Sequence, residues 1–584
     1  MKKLRKALAV LLSAAMVLGM GLSSAAATGN LTADTSVTVG GLEENDVVKF
    51  VKAVEWVDST GWAYTAKIVA AAQEAGVTLP DIAEITGNLI GDDGKKVPAA
   101  ISAANGGILG KAAAKATGSN ATAGTDKTAT LSKGTDQAEA DFVGLYVALV
   151  TPADPEYNYN PVFVSADFSQ KDTSPNTFTV DLNKSYQPTA LAKKNHITVD
   201  KTATGSNAET LYDVNVGDTI PFAVTSQIPA FSSSYVNPVY EITDTLDTGL
   251  EFNNDLEVKI GGTDAVENDD YTVVSSSTTG YTIAVTAAKL AAIQESGLAQ
   301  DIVITYTATV QEIPEENIYN VVQKENRAQV KFSNNPGNKD SYSLLEDRTN
   351  HYTFSLDSKL LGNDQYITGE MLKIGLDENG DELTQTHTAS NSTPYAALEG
   401  AKFKLYTDAE GKTPYISDQY PNGCEVESNE DGLIPIVGLD EGTYYLFETQ
   451  APTGFVKSND PVVITIAAEY QTIDAGSYVN EDGITVKYNA YDVLESYTVT
   501  VGGQATIVDG EHVSTYTFTK TKDASESDVE IVDVTDVSTK IKNIRGTELP
   551  ATGGTGTTLF YIIGSILVIG AGIILVAKKR MNME

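Results

Sequence analysis

The stretch 442–455 reads GTYYLFETQAPTGF and combines the pattern of a β-strand with a single acid. Along a strand, successive side chains point to opposite faces of the sheet, so Tyr444, Leu446 and Glu448 share one face. Glu448 is therefore expected to point the same way as the apolar residues. A carboxyl buried among apolar groups is costly unless it is protonated or paired. The stretch predicts a strand, and the pattern alone leaves Glu448 either as a buried acid or as a glutamate exposed to solvent on an edge strand.

Strand patterns also dominate the chain around this stretch. Between residues 196 and 350, runs of β-branched and aromatic residues recur between turn signals, as at 219–224, 239–242, 302–310 and 328–332. One short helix is predicted there, at Ala287–Ser296. Residues 351–548 continue the β character with longer loops. Both parts are expected to form β-sandwiches.

The first part of the chain, residues 28–195, is rich in Ala and Gly. Helical periodicity predicts helices at 62–75, 81–89 and 99–116, and strand patterns follow at 144–150, 161–168 and 177–182. The small, polar stretch 117–135 is expected to be a surface loop.

Length, charge and cysteine content exclude some classes of protein. The chain has 584 residues, a formal net charge of −38 and one cysteine. This length suits about three or four domains. The acidic excess argues against binding to nucleic acid, because phosphate recognition needs clustered Lys and Arg. Cys424 cannot form an intrachain disulfide and is interpreted as a loop thiol, so an exported chain of this kind needs another means of stabilising its domains.

The N-terminus has the parts of a secretory signal peptide. Four basic residues within the first six positions precede an apolar run to about Leu22, and small residues follow as far as Ala27. We interpret residues 1–27 as a signal peptide that is cleaved near Ala27, with an N-terminal membrane anchor as the alternative.

The C-terminus combines three features in a fixed order. The pentapeptide LPATG precedes an uncharged apolar run at 559–577 and a basic cluster at 578–580; its members are Leu549, Pro550, Ala551, Thr552 and Gly553. The apolar run is long enough to cross a bilayer as a helix, and the basic cluster favours a C-terminus inside the cell. Together the three features resemble the cell-wall sorting signal of Gram-positive surface proteins.

This resemblance implies that a sortase cleaves the chain. In such proteins the sortase cysteine attacks the carbonyl of the motif threonine, here Thr552, and releases Gly553 with everything after it, leaving a thioester that an amine resolves. The mature chain would carry a charge of −44, because the signal contributes +4 and the released tail +2 to the −38 of the whole. The location implied is the cell wall or a surface pilus, after a transient membrane anchor.

The pattern around Glu448 resembles the E-box of Gram-positive pilins and of their collagen-adhesin B-type domains. Residues 398–406, LEGAKFKLY, resemble the second strand of such domains. That family joins a lysine of the first strand to an asparagine of the last strand by a spontaneous isopeptide bond. The matching positions are Lys373 and Asn543, with Glu448 as the assisting acid, and Lys359 is the alternative lysine.

The chemistry of such a bond is plausible in a dry core. Burial removes the charge of a lysine and leaves a nucleophilic amine, while the same environment keeps a carboxyl protonated. The acid can then polarise the asparagine amide and move protons as ammonia leaves. Folding supplies the effective molarity, so no enzyme or cofactor is required.

Residues 196–350 resemble the second domain of pilus backbone subunits, which also forms an isopeptide bond. Matching strand motifs occur in the order of that domain, at 196–201, 216–222, 240–250 and 326–336. The resemblance assigns Lys201 as the nucleophile, Asp244 as the acid and Asn326 as the amide. Asp218 is the alternative acid.

Backbone pilins also carry the lysine that links subunits in a Tyr-Pro-Lys-Asn-like motif between their first and second domains. Here only Lys194 and Asn195 match, because Ala192 and Lys193 stand where Tyr-Pro is expected. The resemblance leaves Lys194 or Lys193 to attack the Thr552 acyl-enzyme of another copy. An ordinary solvated lysine pair is the alternative.

The resulting hypothesis is a structural subunit of a covalent cell-surface pilus and not an enzyme. Its expected parts are a signal peptide at 1–27, an N-terminal domain at 28–195, immunoglobulin-like sandwiches of the collagen-adhesin A and B types at 196–350 and 351–548, and the sorting signal at 549–584. Expected partners are a sortase, other copies of the chain, minor pilins, peptidoglycan and host surface ligands. The alternative function is a monomeric, cell-wall-anchored adhesin.

No metal or cofactor is expected. The four histidines, His196, His351, His387 and His512, are dispersed and lack metal-ligand spacing. The acidic stretch 377–382 is interpreted as a hairpin turn, because it lacks the further ligands of a calcium loop.

Overall fold

Strands make up most of the folded chain. A computed structural model describes residues 36–57, 61–86, 89–90, 96–97, 101–134, 142, 144–166, 189–205, 210–336, 338, 340–361, 363–367, 369–389, 392–520, 529–535 and 538–546. Strands account for 52% and helices for 9%, so the prediction of a mainly β fold is confirmed. The predicted signal peptide, sorting motif, membrane helix and strand 177–182 lie outside these residues. None of the helices within them is long and apolar enough to cross a membrane.

The part of the chain before residue 197 combines short strands with helices. The strands are β1 (Ser36–Gly40), β2 (Val47–Val57), β3 (Gly61–Tyr64), β4 (Leu89–Ile90), β5 (Lys96–Val97), β6 (Ser119–Thr122), β7 (Ala129–Ser132), β8 (Gly144–Thr151), β9 (Tyr157–Tyr159), β10 (Val162–Ala166), β11 (Thr189–Leu191) and β12 (Lys194–His196), and the helices are α1 (Ala66–Glu74), α2 (Ile82–Thr86) and α3 (Ala103–Lys115).

The central strand of this part, β8, is buried on both faces. It pairs with β2 on one edge and β10 on the other. Tyr146 and Ala148 face one apolar cluster, and Leu145 and Val147 face a second cluster built with α1 and α3. Burial on both sides explains why the strand is a continuous apolar run in the sequence and not an alternating one.

The helices differ from their predicted bounds for local reasons. The helix predicted at 62–75 begins only at Ala66, because Gly61–Tyr64 forms a strand that pairs with β2. Thr65 then caps the helix by accepting a hydrogen bond from the backbone N–H of Ile68 at 3.2 Å. The stretch 117–135, predicted as a loop, contains β6 and β7, whose small polar residues pair with β2 and β1.

The glycines of α3 do not interrupt the helix, which runs from Ala103 to Lys115. The glycines allow the helix to lie close to the segment that contains Ser233 and Ser234. A Cβ at Gly107 would lie 2.0 Å from the Ser233 hydroxyl, and a Cβ at Gly110 would lie 2.1 Å from the Ser234 hydroxyl. The first part of the chain therefore packs directly on the middle part through residues without side chains.

The middle part forms a β-sandwich. Its strands are β13 (Val199–Ala203), β14 (Thr219–Ile228), β15 (Tyr240–Leu246), β16 (Leu250–Phe252), β17 (Glu257–Ile260), β18 (Thr263–Asp264), β19 (Tyr271–Ser277), β20 (Gly280–Val285), β21 (Gln300–Val310), β22 (Val321–Ser333) and β23 (Tyr342–Leu356), with helix α4 (Ala287–Ser296) where it was predicted. One sheet has the order β13-β14-β21-β17-β18, and the other contains β19-β20-β15-β22-β23. Their inner faces share one large apolar core.

The remaining strands build the C-terminal part. They are β24 (Lys359–Leu360), β25 (Asn363–Ile367), β26 (Met371–Leu376), β27 (His387–Thr388), β28 (Pro394–Tyr395), β29 (Lys402–Tyr406), β30 (Glu425–Glu427), β31 (Ile436–Leu439), β32 (Gly442–Gln450), β33 (Val462–Ile473), β34 (Gly476–Val479), β35 (Thr485–Tyr488), β36 (Tyr491–Gly502), β37 (His512–Lys520), β38 (Val529–Thr535) and β39 (Thr539–Ile544). The main sheet has the order β30-β29-β32-β33-β36-β37-β38, and β26 pairs with β39 in parallel.

The middle and C-terminal parts are joined by a shared strand. β23 runs without interruption across residues 350 and 351, where the sequence suggested a boundary. It pairs with β22 on one edge and with β31 and β35 of the C-terminal part on the other. A hydrogen-bonded sheet therefore connects the two parts.

A hairpin of the C-terminal part, β34 and β35, reaches all the way to the first part. We call residues 476–488 the arm. Lys487 at its end contacts the carboxylates of Asp154 at 2.9 Å and Glu156 at 3.0 Å. Next to the arm, the Asn489 side chain donates to the carbonyl of Val199 at 2.6 Å. The arm and the adjacent Asn489 thus connect the C-terminal part to the first part and to the middle part.

We expect Gly107→Ala to destabilise the chain and Gly106→Ala, the matched control, to leave it unchanged or more stable. Both substitutions replace glycine in α3, which alone favours folding by up to about 1 kcal/mol. The new methyl at position 107 would overlap Ser233, at about 1–3 kcal/mol, while that at 106 would lie 3.3 Å from Phe163. Calorimetric unfolding of the two variants checks this, and equal stabilities would show that the close helix contact is absent.

Candidate functional sites

The middle sandwich carries a lysine, an acid and an asparagine on strands of opposite sheets. Lys201 occupies a core position of β13 between Val199 and Ala203. Asp244 lies on β15 and Asn326 on the neighbouring strand β22, in the other sheet. All three are buried. The two sheets therefore bring together residues that are far apart in the sequence.

Hydrogen bonds connect the three residues through a tyrosine. The Lys201 Nζ donates to Asp244 Oδ2 at 2.6 Å and to the Tyr306 hydroxyl at 2.7 Å. The hydroxyl donates to Asp244 Oδ1 at 2.8 Å and accepts from Asn326 Nδ2 at 2.8 Å. The Asn326 Oδ1 has no hydrogen-bond partner among the described residues. We call Lys201, Asp244, Asn326 and Tyr306 the middle cluster.

Burial dominates the electrostatics of the middle cluster. The side chains of Lys201 and Asp244 are 0% exposed. Desolvation lowers the pKa of Lys201 and raises that of Asp244, against the attraction between the two charges. The rings of Phe222 and Tyr306 lie 5.0 and 5.2 Å from the lysine nitrogen and keep water away. The environment favours a neutral amine beside a neutral acid.

A second cluster of the same composition lies in the C-terminal part. Lys373 of β26 has its Nζ 3.2 Å from Glu448 Oε1 of β32. Asn543 of β39 donates from Nδ2 to Glu448 Oε2 at 2.9 Å and to the carbonyl of Val456 at 2.8 Å. Glu448 also accepts from the backbone N–H of Ser458 at 2.6 Å. We call Lys373, Glu448 and Asn543 the C-terminal cluster.

Strand register explains why Lys373 and Asn543 meet. In the parallel pair β26–β39, Lys373 lies opposite Ile541 and Gly375 lies opposite Asn543. Side chains two residues apart share a face, so the lysine and asparagine project to the same side. Burial lowers the pKa of Lys373 to about 8, although Glu448 opposes the shift. The ring of Phe403 lies 5.3 Å from its nitrogen.

The residues considered as alternatives lie elsewhere. Lys359 extends over the ring of Tyr319, with its nitrogen 6.0 Å from the ring centre. Asp218 accepts a hydrogen bond from the backbone N–H of Asn215 at 2.9 Å. The structure thus groups Lys201 with Asp244, and Lys373 with Glu448.

Sequence reasoning missed Tyr306. It stands in the strand run 302–310, where Ile304, Tyr306 and Ala308 share the buried face. A tyrosine hydroxyl in a core needs a polar partner, so a tyrosine on that face was the available signal.

Cys424 was also misinterpreted: it lies in the loop before β30, but its side chain is fully buried and burial raises its pKa to about 12. It belongs to the hydrophobic core.

The lysine pair between the first and middle parts is at the surface. Lys194 lies on β12, 30% exposed, with its Nζ paired to Glu43 and 4.8 Å from the centre of the Tyr157 ring. Lys193 is exposed and donates to the carbonyl of Gly297 at 3.3 Å. The two lysines therefore differ in their chemical surroundings.

Comparison with known proteins gives two matching family models. Residues 385–478 match the SpaA family, described as a prealbumin-like fold domain, and residues 542–582 match the LPXTG cell wall anchor motif. The first match lies in the C-terminal part and includes Glu448, and the second includes Asn543 and the predicted sorting pentapeptide.

The chain is also similar in sequence to two surface proteins and in fold to a solved structure. The chain is 26% identical over 499 residues to the trypsin-resistant surface T6 protein of Streptococcus pyogenes serotype M6, covering 76% of this chain and 81% of the relative. It is 24% identical over 285 residues to the fimbrial subunit type 2 of Actinomyces naeslundii, covering 46% and 49%. The solved T6 backbone pilin, with a modular three-domain structure, matches with a TM-score of 0.50 and 17% identity, over 89% of this chain and 100% of that one.

The resemblance to sortase-assembled major pilins of Gram-positive bacteria is confirmed. The predicted location, a pilus anchored to the cell wall, is confirmed with it.

The chain also contains a third buried lysine outside both clusters. Lys324 of β22 donates to the Thr353 hydroxyl at 2.8 Å, and burial lowers its pKa to about 7. No carboxylate of the described residues forms an ion pair with it.

We expect Lys324→Met to stabilise the folded chain near neutral pH, with an advantage that shrinks as the pH rises toward 10.5. Between the folded pKa of about 7 and the unfolded value of 10.5, the unfolded chain binds a proton here that the folded chain does not. Wild-type stability therefore rises relative to the variant by up to about 1.4 kcal/mol per pH unit. Denaturant unfolding at several pH values measures the difference. Lys331→Met, on the same strand but partly exposed, is the control, and an equal pH trend in both variants would contradict the prediction.

Proposed function

We propose that the chain is the backbone subunit of a covalent pilus and that each sandwich is closed by a self-formed Lys–Asn amide bond. The observation that supports the internal bonds is the arrangement of the two clusters, in which a buried lysine and an asparagine amide contact one network that contains an acid. The parts of the chain would act as a signal peptide at 1–27, domains at 28–195, 196–350 and 351–548, and a sorting signal at 549–584.

The reaction in each cluster is an exchange of amides. The neutral lysine nitrogen attacks the Asn Cγ, the new C–N bond forms, and the bond to Nδ2 breaks. The proton lost by the lysine reaches the departing nitrogen through the acid, so ammonia leaves and the acid is regenerated. In the middle cluster Tyr306 contacts the lysine, the acid and the amide, and supplies a path for the proton.

The surroundings of both clusters suit this reaction. A charged lysine cannot attack, and desolvation moves both amines toward the neutral form. Folding holds amine and amide together, which provides the effective molarity of an intramolecular step. Neither cofactor nor external enzyme is needed, and we propose no other enzymatic activity for the chain.

The position of the bonds suits a fibre under tension. Lys373 and Asn543 lie on adjacent parallel strands near the two ends of the C-terminal part. Lys201 lies on the first strand of the middle sandwich and Asn326 on one of its last strands. A pull along the chain would pass through each bond and bypass the sheets between.

The intact mass of the purified chain tests the internal bonds. We expect a deficit of about 34 Da, because each bond expels one ammonia of about 17 Da. Lys201→Ala or Asp244→Ala should remove half of it, and Lys373→Ala or Glu448→Ala the other half. Lys359→Ala and Asp218→Ala are matched controls that keep the full deficit. A wild-type chain without any deficit would refute both clusters as bond-forming sites.

Linkage between subunits would join the C-terminal sorting motif of one copy to the lysine pair between the first and middle parts of the next copy. A sortase cleaves between Thr552 and Gly553, and Lys194 or Lys193 of the next copy attacks the Thr552 thioester. The anchor motif and the pilin relatives support this step. Minor pilins and host surface ligands are proposed as further partners, and the last subunit would join peptidoglycan.

Blots of cell-wall extracts test the linkage. The wild type should give a ladder of high-molecular-weight bands, which Lys194→Ala abolishes and Lys193→Ala leaves intact. The reason is that, within the described part of the chain, Lys194 pairs with a carboxylate and Lys193 with a backbone carbonyl. A wild type that stays monomeric would favour the second candidate, a cell-wall-anchored adhesin. The reverse pattern in the two variants would assign the linkage to Lys193.

A further inference from the structure

The surroundings of Lys194 repeat those of the two buried lysines. Lys201 lies beside Asp244 and the ring of Phe222. Lys373 lies beside Glu448 and the ring of Phe403. Lys194 lies beside Glu43 and the ring of Tyr157. In each case a lysine nitrogen lies beside a carboxylate and at least one aromatic ring.

The third arrangement differs from the others in exposure. The side chains of Lys194 and Glu43 are 30% and 22% exposed, whereas those of Lys201 and Asp244 are 0% exposed. Among the described residues, no side-chain amide pairs with the Lys194 nitrogen: the adjacent Asn195 donates instead to the side chain of Asn158 at 3.2 Å. The site has an amine and an acid but is open to an acyl group from outside.

We propose that Glu43 is the catalytic acid–base partner of Lys194 when that lysine accepts the Thr552 acyl group of another copy. This inference rests on the proposed pilus function and adds a residue to it. Glu43 lies in the turn between β1 and β2 and is 151 residues from Lys194 in the sequence. Its side chain touches the reacting nitrogen itself.

In the proposed transfer of the Thr552 acyl group to Lys194, Glu43 is the first proton acceptor. The Lys194 ammonium gives one proton to the Glu43 carboxylate, and its nitrogen attacks the carbonyl carbon of the Thr552 thioester. The C–N bond forms and the C–S bond breaks. The second proton passes from nitrogen to the departing sortase thiolate, and Glu43 returns its proton to solvent.

Charges around Glu43 keep the site inactive until it is covered. One carboxylate oxygen pairs with Lys194 and the other with Lys127 at 2.9 Å, while Glu44 is the adjacent acid. These pairings lower the pKa of Glu43 to about 2, so in water the site is a carboxylate beside an ammonium. A bound sortase would exclude water and favour the neutral pair, as burial does in the interior clusters.

The partners of the two side-chain nitrogens also distinguish Lys194 from Lys193. The Lys193 nitrogen donates to the carbonyl of Gly297 at 3.3 Å. A backbone carbonyl cannot take up a proton, so this contact does not help to deprotonate the amine. Glu43 therefore also accounts for the choice between two adjacent lysines.

The test compares Glu43→Gln with Glu44→Gln, which removes the same charge one position away. The chain without its signal peptide but with the LPATG pentapeptide at 549–553 intact is mixed with the purified pilus sortase of the producing bacterium. The initial rate of Lys194–Thr552 amide formation is followed by mass spectrometry across a pH series. We expect Glu43→Gln to lower the rate near neutral pH by at least about tenfold, and its remaining rate to climb with pH as the lysine loses its proton unaided. Glu44→Gln should match the wild type, and Glu43→Asp should recover part of the rate.

Three results would overturn the inference: a loss below tenfold in Glu43→Gln, an equal loss in Glu44→Gln, or an unchanged pH profile. The internal mass deficit of each variant shows that the fold is intact. Failure of the wild type itself to form the amide would instead contradict the proposed pilus function, so the two failures are distinguishable.

Discussion

A lysine held beside a carboxyl in a dry core is the interaction on which the rest of this structure depends. Both clusters place it between strands distant in sequence, and burial acts on the two groups in opposite directions, moving Lys201 and Asp244 toward a neutral pair. Such a pair is a poor source of stability, because desolvation consumes most of the attraction. The value that we propose for it is chemical: a neutral amine and a neutral acid beside an amide are the reagents of a covalent crosslink, which a chain with one cysteine cannot obtain from an internal disulfide.

The architecture provides the geometry that this chemistry requires. Opposite sheets of the middle sandwich bring Lys201 to Asp244, and the parallel pairing of β26 with β39 brings Lys373 to Asn543. The connections between the parts of the chain also suit a subunit under tension. β23 belongs to both the middle and C-terminal sheets, and the arm attaches Lys487 to the first part. Contacts between the parts are thus extensive, as expected for a subunit that transmits force.

Exposure distinguishes the reactions that one type of site can perform. In the proposed function, a lysine and an acid that are buried with an asparagine form a bond within the subunit. Lys194 and Glu43 are partly exposed, and there the proposed acyl group comes from another molecule. On this proposal the same side-chain chemistry serves both internal stabilisation and assembly, and the degree of burial distinguishes the two.

Local pattern determined much of this protein. Alternation placed Glu448 on the face of Tyr444 and Leu446, the recurring strand runs predicted a mainly β chain, and helix α4 has its predicted bounds. Family resemblance, and not periodicity, supplied the pairing of lysines with asparagines. Only the tertiary structure placed Lys373 beside Glu448, Tyr306 beside Lys201 and Glu43 beside Lys194. It also explained the glycines of α3 and showed that Cys424 is buried. The physical reason is the separation of the residues along the sequence. Strand periodicity is a property of neighbouring residues, whereas each of these features depends on a contact between segments that only folding brings together.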